Sequence, residues 1–157
     1  MMQYEIVTLE ETCAVGVSAR TNNGDPGAGA VIGGLWNRFF GEGVYAAIPH
    51  KANAKTLGLY TDYAGDEMAD YTAAAACAVT QAPDDTPLFV CRIPAGRYAK
   101  FVVRGDMQQA VAAAWQEIWQ MHLPRAFQCD FEEYQDDRME DAEIHIYVGL
   151  TEDDDEA

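Results

Sequence analysis

The stretch 88–121, LFVCRIPAGRYAKFVVRGDMQQAVAAAWQEIWQM, decides the fold. Its first part reads as two strands, 88–93 and 97–103, turned at Pro94-Ala95-Gly96, because proline and glycine punctuate a hairpin. Asp106 follows at a helix N-cap position, where a carboxylate accepts from the unpaired N–H groups of the first turn. From there to about residue 121, Met107, Ala110, Val111, Ala114, Trp115, Ile118 and Trp119 recur at helical spacing and form one buried face. Pro124 stops the helix. Beyond it, 127–134 and 143–150 read as two more strands, so this half has the order ββ-helix-ββ.

The first half has the same order. Residues 4–9 and 12–20 form a strand pair, with Glu10-Glu11 at the turn. A glycine-rich loop, TNNGDPGAG, follows, and its Asp25-Pro26 is a helix-start signal. Segment 31–40 places Ile32, Leu35, Trp36 and Phe39 on one helical stripe, which Gly41 and Gly43 end. Residues 56–63 and the alanine-rich 70–79 complete the set as strands. Leu9 lies 84 positions before Ile93 and Trp36 lies 83 before Trp119, so the spacing nearly repeats. An internal duplication is expected, with repeats at about 3–80 and 87–150 in one domain, 1–150, whose seam is a natural cleft. The acidic end, 151–157, reads as a disordered tail.

Composition narrows the function. The chain has 157 residues, 49% of them hydrophobic, which is ample for a core. Against 10 basic residues stand 26 acidic ones, a net charge of −16, which repels phosphate backbones and anionic membranes and attracts cations. Direct nucleic-acid binding is not expected, and neither is membrane association. No basic n-region precedes an apolar stretch, and the longest apolar run, 73–79, is far below the ~20 residues of a membrane helix. Cys13, Cys77, Cys91 and Cys129 are widely spaced, which suits free thiols in a reducing cytoplasm.

Elimination removes several chemistries. Ser18 is the only serine and sits inside a predicted strand, not at a nucleophile elbow. His50, His122 and His145 show no metal-ligand spacing, so neither a metal nor another cofactor is expected. Gly27, Gly29 and Gly33 resemble a phosphate loop but lack its lysine. What remains is acidic and aromatic. In Phe131-Glu132-Glu133-Tyr134, alternation puts Glu132 and Tyr134 on one strand face, while Glu143, His145 and Tyr147 share one face of the last strand. Pairing of these strands would gather a carboxylate and several phenols, the natural receptor for an organic cation. The alternative is that Glu132 is solvated on an open face, and that the isoleucines of the last strand face the helices instead. The tryptophans read by default as core.

The series IGGLWNRFF, TLGLYTDYAGDEMADYTAAAACAV, IPAGRYAKFVVRG, WQEIW, LPRAFQCDFEEYQ and EIHIYVGL resembles the GyrI-like small-molecule-binding family, the effector-binding module of AraC-type and MerR-type multidrug regulators. The resemblance spans about residues 4–150. It implies an α+β fold of duplicated β-α-β-β modules, forming one curved antiparallel sheet with two helices on the concave side and a ligand groove between them. It assigns to Glu132 the buried glutamate that meets lipophilic cations. Tyr147 matches a pocket-lining tyrosine, and Trp36, Tyr60 and Tyr71 fall in stretches that supply aromatic walls. Tyr134 and Trp119 complete the candidate ligand-binding set. The chain contains no helix-turn-helix, so the regulators' promoter binding is not expected of it.

The favoured reading is therefore a binding protein for amphipathic cations. Two others stay open. Some relatives hydrolyse strained electrophilic natural products, a task for Glu132 as base with Tyr134, Tyr147 or Tyr71 as acid. Relatives also include a gyrase inhibitor, so an acidic surface docking on a protein partner is the third reading. An apolar stripe on the sheet face away from the helices would call for a partner, a second copy in a homodimer or another protein.

Overall fold

The computed structural model describes residues 3–22, 27–53, 55–65, 69–83, 86–121, 123–135 and 140–151. In chain order its elements are β1 (Glu5–Leu9), β2 (Thr12–Thr21), α1 (Ala28–Trp36), α2 (Val44–Ala47), β3 (Thr56–Thr61), β4 (Tyr71–Val79), β5 (Phe89–Ile93), β6 (Gly96–Gly105), α3 (Met107–Gln120), β7 (Cys129–Tyr134) and β8 (Ala142–Gly149). The strands make one antiparallel sheet ordered β1-β6-β8-β7-β3-β4-β2-β5. Exchanging the halves, β1 for β5, β2 for β6 and so on, returns this order reversed. Each half lends its first strand to the other, β1 to β6 and β5 to β2, and the halves meet at the central β3–β7 pair.

Local sequence explains the helices. The Asp106 Oδ1 atom accepts the Gln109 N–H at 2.9 Å, the N-cap bond expected at the start of α3. Val111, Ala114, Trp115 and Ile118 are buried beneath it. In the first half, Leu35 and Phe39 are buried and Ile32 and Trp36 partly so, as the stripe predicted. The α-helix nevertheless stops at Trp36 and widens into a π-helical turn, Asn37–Gly41. There Phe39 stays in the core while Phe40 stacks on Trp36, with ring centroids 5.8 Å apart. The short α2 was not expected; it begins after Gly43, whose φ of 78° is the left-handed turn that glycine permits. β7 starts two residues later than predicted, because Phe127 adopts a left-handed φ of 53°.

Both long helices cover one face of the sheet. Beneath α1 lie Val15, Val17, Ala73, Ala75 and Cys77; beneath α3 lie Phe101, Val103, Ile144, Ile146 and Val148. The opposite face is apolar too, with Leu57, Leu59, Tyr98, Phe131 and Tyr147, and Val7 and Ile93 from opposite edge strands join the same cluster. On this second face Cys91 of β5 lies near Cys129 of β7 although β2, β4 and β3 stand between their strands, so the sheet curls around that face, buries its stripe within the chain and leaves the helices on the convex side, not the concave side that the resemblance implies. The alanines of β4 follow from this, since Ala74 and Ala76 face one core while Ala73 and Ala75 face the other. β2 also presses against β4: a Cβ at Gly16 would stand 1.9 Å from the Ala75 carbonyl oxygen.

Among the described residues, no helix is long and apolar enough to cross a membrane, and no three His, Cys, Asp or Glu side chains group as a metal site. Thr151 is tied to the domain, its N–H donating to the Pro124 carbonyl at 2.9 Å. The helix-start signal at Asp25-Pro26, His122 and the remainder of the acidic tail lie outside the described residues.

Candidate functional site

At the seam, the β3–β7 register sets Gly58 opposite Glu132, Thr56 opposite Tyr134 and Tyr60 opposite Asp130. Alternation then turns Glu132, Tyr134 and Tyr60 to the helix-covered face. Glu132 is 2% exposed. Its Oε1 accepts the Tyr134 hydroxyl at 2.6 Å; its Oε2 accepts the Tyr60 hydroxyl at 2.7 Å and the Trp115 indole N–H at 2.6 Å. Burial pushes the carboxyl pKa upward, and the bonds from Tyr134, Tyr60 and Trp115 pull part of that shift back. Burial, reinforced by the Glu132 charge, holds the Tyr60 and Tyr134 phenols far above their ordinary value, so both keep their protons and donate. Among the described residues, no lysine, arginine or histidine forms an ion pair with Glu132.

Rings surround this carboxylate. Trp36 meets Tyr134 edge-on at 5.5 Å, and Tyr60 meets Trp115 edge-on at 5.7 Å. Tyr71 stands one ring further back, 5.8 Å from Tyr60, its phenol pushed up by burial and then by the Glu132 charge. Gly58 makes the space: a Cβ there would lie 2.9 Å from Glu132 Oε1 and 3.6 Å from Trp36 Cζ2. Alanine in a strand normally outperforms glycine by roughly 0.5–1 kcal/mol. Gly58→Ala is expected to reverse that sign and cost about 1–2 kcal/mol in urea unfolding, because the methyl displaces the carboxylate from its donors.

The structure thus brings Glu132, Tyr134, Tyr60 and Trp36 together, with Tyr71 behind them. Two expected residues stand elsewhere. The β7–β8 register pairs Glu132 with Ile146 and Phe131 with Tyr147, so Tyr147 lies on the opposite sheet face, stacked on Phe131 at 4.7 Å. Trp119 is 36% exposed, one helical turn beyond the tryptophan that reaches Glu132. The sequence marks that tryptophan, Trp115, as core. Its signal was its place on the α3 stripe, which marks burial but not the group it meets. Gly58 was missed because only the cross-strand register sets it against Glu132.

Two positions before Glu132 on the same strand face is a second buried acid, Asp130, which has no exposure. It accepts Arg125 Nη2 at 2.6 Å, the Tyr63 hydroxyl at 2.5 Å and the Gly149 N–H at 2.8 Å. The Arg125 guanidinium also lies 4.4 Å over the Phe127 ring. One strand therefore buries two carboxylates, of which Asp130 takes its countercharge from the chain.

VCH_CASS2, an integron cassette protein from the mobile metagenome of Vibrio cholerae, is similar over 94% of this chain and 95% of its own, with 26% identity and a TM-score of 0.74. A putative transcription regulation protein of Staphylococcus aureus MU50 is similar over 94% and 97%, with 25% identity and a TM-score of 0.73. SAV2435, solved with bound tetraphenylphosphonium, shares the fold at a TM-score of 0.76 and 23% identity over 96% and 94%. No curated protein matches the chain. The expected architecture, one curved antiparallel sheet with helices, is the one these structures share. The sequence profile described as Cass2, integron-associated effector binding protein, matches residues 5–150, and the chain belongs to that family.

Proposed function

We propose that this protein binds lipophilic organic monocations on the helix-covered face of the sheet, against Glu132. The observation that carries this reading is a buried carboxylate whose three hydrogen bonds all come from neutral donors, with no ion pair to a basic side chain among the described residues. Three neutral donors orient the carboxylate but leave its charge uncompensated, and a buried charge is costly until a countercharge arrives. A cation with an apolar body supplies that charge, and the surrounding rings offer it cation–π and dispersion contact. The tetraphenylphosphonium bound to the structurally similar SAV2435 has this chemistry. The net charge of −16 favours the approach of such a molecule.

Access runs through the cover formed by α1. Trp36 comes within van der Waals reach of Gly58 beside the carboxylate, so a ligand displaces this ring to reach Glu132. A Cβ at Gly33 or Gly34 would meet nothing within 4 Å, so packing does not require glycine in this helix. Each glycine lowers helix stability by about 1 kcal/mol, which makes the cover easier to displace.

The test uses two ions of the same shape and opposite charge. Calorimetric titration is expected to give a Kd on the order of 1–10 μM for tetraphenylphosphonium and no binding of tetraphenylborate. Equal binding of the two ions, or no phosphonium binding at roughly 1 mM, overturns the proposal.

A further inference from the structure

β5 and β7 are far apart in the strand order, with β2, β4 and β3 between them. The curl nevertheless packs Cys91 of edge strand β5 against the cluster that holds Cys129 of β7, and the two thiols lie within electrostatic reach of each other. Cys129 is 1% exposed, whereas Cys91 is half-buried, where a small oxidant reaches it. From this juxtaposition we infer that Cys91 and Cys129 are a redox pair, which hydroperoxides convert to a disulfide joining β5 to β7.

The two sulfurs have different roles. Cys91 is the more exposed of the two, and its contact with Cys129 holds its thiol below its ordinary pKa, favouring the thiolate, which is the reactive form. The same contact, with burial, pushes Cys129 upward, so it keeps its proton until called on. The Cys91 thiolate attacks one peroxide oxygen; an S–O bond forms as the O–O bond breaks, and the other oxygen leaves as hydroxide, which becomes water. The Cys129 sulfur, losing its proton, then attacks the Cys91 sulfenic sulfur. An S–S bond forms, the S–O bond breaks, and the second oxygen also leaves as water. The two thiols give up two electrons and the peroxide accepts them.

The surroundings favour closure at this pair. Among the described strands β5 pairs only with β2, so its outer side is free to shift by the small distance that a disulfide requires. Cys13 and Cys77 belong to the helix-side core, and burial pushes both thiols up, which keeps them unreactive. The bridge would tie the sheet edge to the strand that carries Asp130 and Glu132 on its other face. This inference does not depend on the ligand reading.

The experiment treats the reduced full chain with hydrogen peroxide and reads it without reductant. The expected results are loss of two of the four thiols to a thiol reagent in denaturant, an intact mass lower by about 2 Da, and a proteolytic fragment linking Cys91 to Cys129. Closing the loop between these positions is expected to raise Tm by roughly 8 °C, reversed by dithiothreitol. In Cys129→Ser, dimedone is expected to trap a sulfenic acid at Cys91. Four titratable thiols after treatment, a bridge to Cys13 or Cys77 instead, or sulfinic acid at Cys91 of the wild type without a bridge would each overturn the inference.

Discussion

Glu132→Gln is expected to weaken tetraphenylphosphonium binding by about 30-fold or more, while leaving the empty protein more stable than wild type at neutral pH. The binding loss follows from removing one partner of a desolvated charge pair, which costs about 2–5 kcal/mol, at 1.4 kcal/mol per tenfold in Kd. The stability gain follows from the direction of the pKa shift. Burial raises the folded-state pKa of Glu132 above its unfolded value. A carboxyl so shifted holds its proton more tightly when folded. The folded state therefore loses stability as pH rises from the unfolded pKa through the folded one, and above both the full cost is present. Glutamine carries no such cost, so its Tm should exceed that of wild type at pH 8 and match it near pH 3.5.

The same proton competes with the ligand. In wild type, phosphonium affinity should fall as pH drops through the raised pKa of the empty site, by up to tenfold per pH unit, because the cation meets a neutral acid. In Glu132→Gln the profile should be flat and weak. Titrations from pH 4 to 8, with thermal melts of both proteins, check all of these outcomes. A glutamine variant that binds within threefold of wild type contradicts the assignment of Glu132. One that binds weakly and is also less stable at pH 8 points to a structural carboxylate instead.

The sequence was legible where one residue's surroundings depend on its near neighbours. Asp106 caps α3 because a cap is a matter of three residues, and the Leu35–Phe39 stripe is buried because helical spacing sets which residues share a face. Strand parity placed Glu132 beside Tyr134 for the same reason. What was not legible depends on register between distant segments. A strand alternates with period two, so Tyr147 had to fall on one face or the other relative to Glu132, and only the pairing of Phe131 with Tyr147 decides which. Trp115 and Trp119 lie one turn apart on the same stripe, and the seating of α3 over β6 and β8 chooses the first to reach Glu132 as donor. The sheet face away from the helices read as a surface in want of a partner, because nothing local in β1 or β5 announces that the curl brings the two edges into one core.

The largest expected loss of stability comes from Arg125. Arg125→Met should cost about 3–5 kcal/mol in urea unfolding, because it leaves Asp130 buried without its countercharge. The two side chains are 5% and 0% exposed and meet at 2.6 Å. The Tyr63 hydroxyl and the Gly149 N–H would still donate to Asp130, but neutral donors do not replace a cation. The double variant Arg125→Met/Asp130→Asn should recover a substantial part of the loss, since it removes the stranded charge as well as its partner. A single-variant cost below about 1 kcal/mol, or a double variant whose losses simply add, would contradict this account. Asp130 and Glu132 are two residues apart, on one face of one strand, and both are buried. Removing positive charge beside the first should destabilise the protein; removing the negative charge of the second should stabilise it. Opposite signs at such short range distinguish an acid whose cation is part of the fold from one whose cation must come from outside.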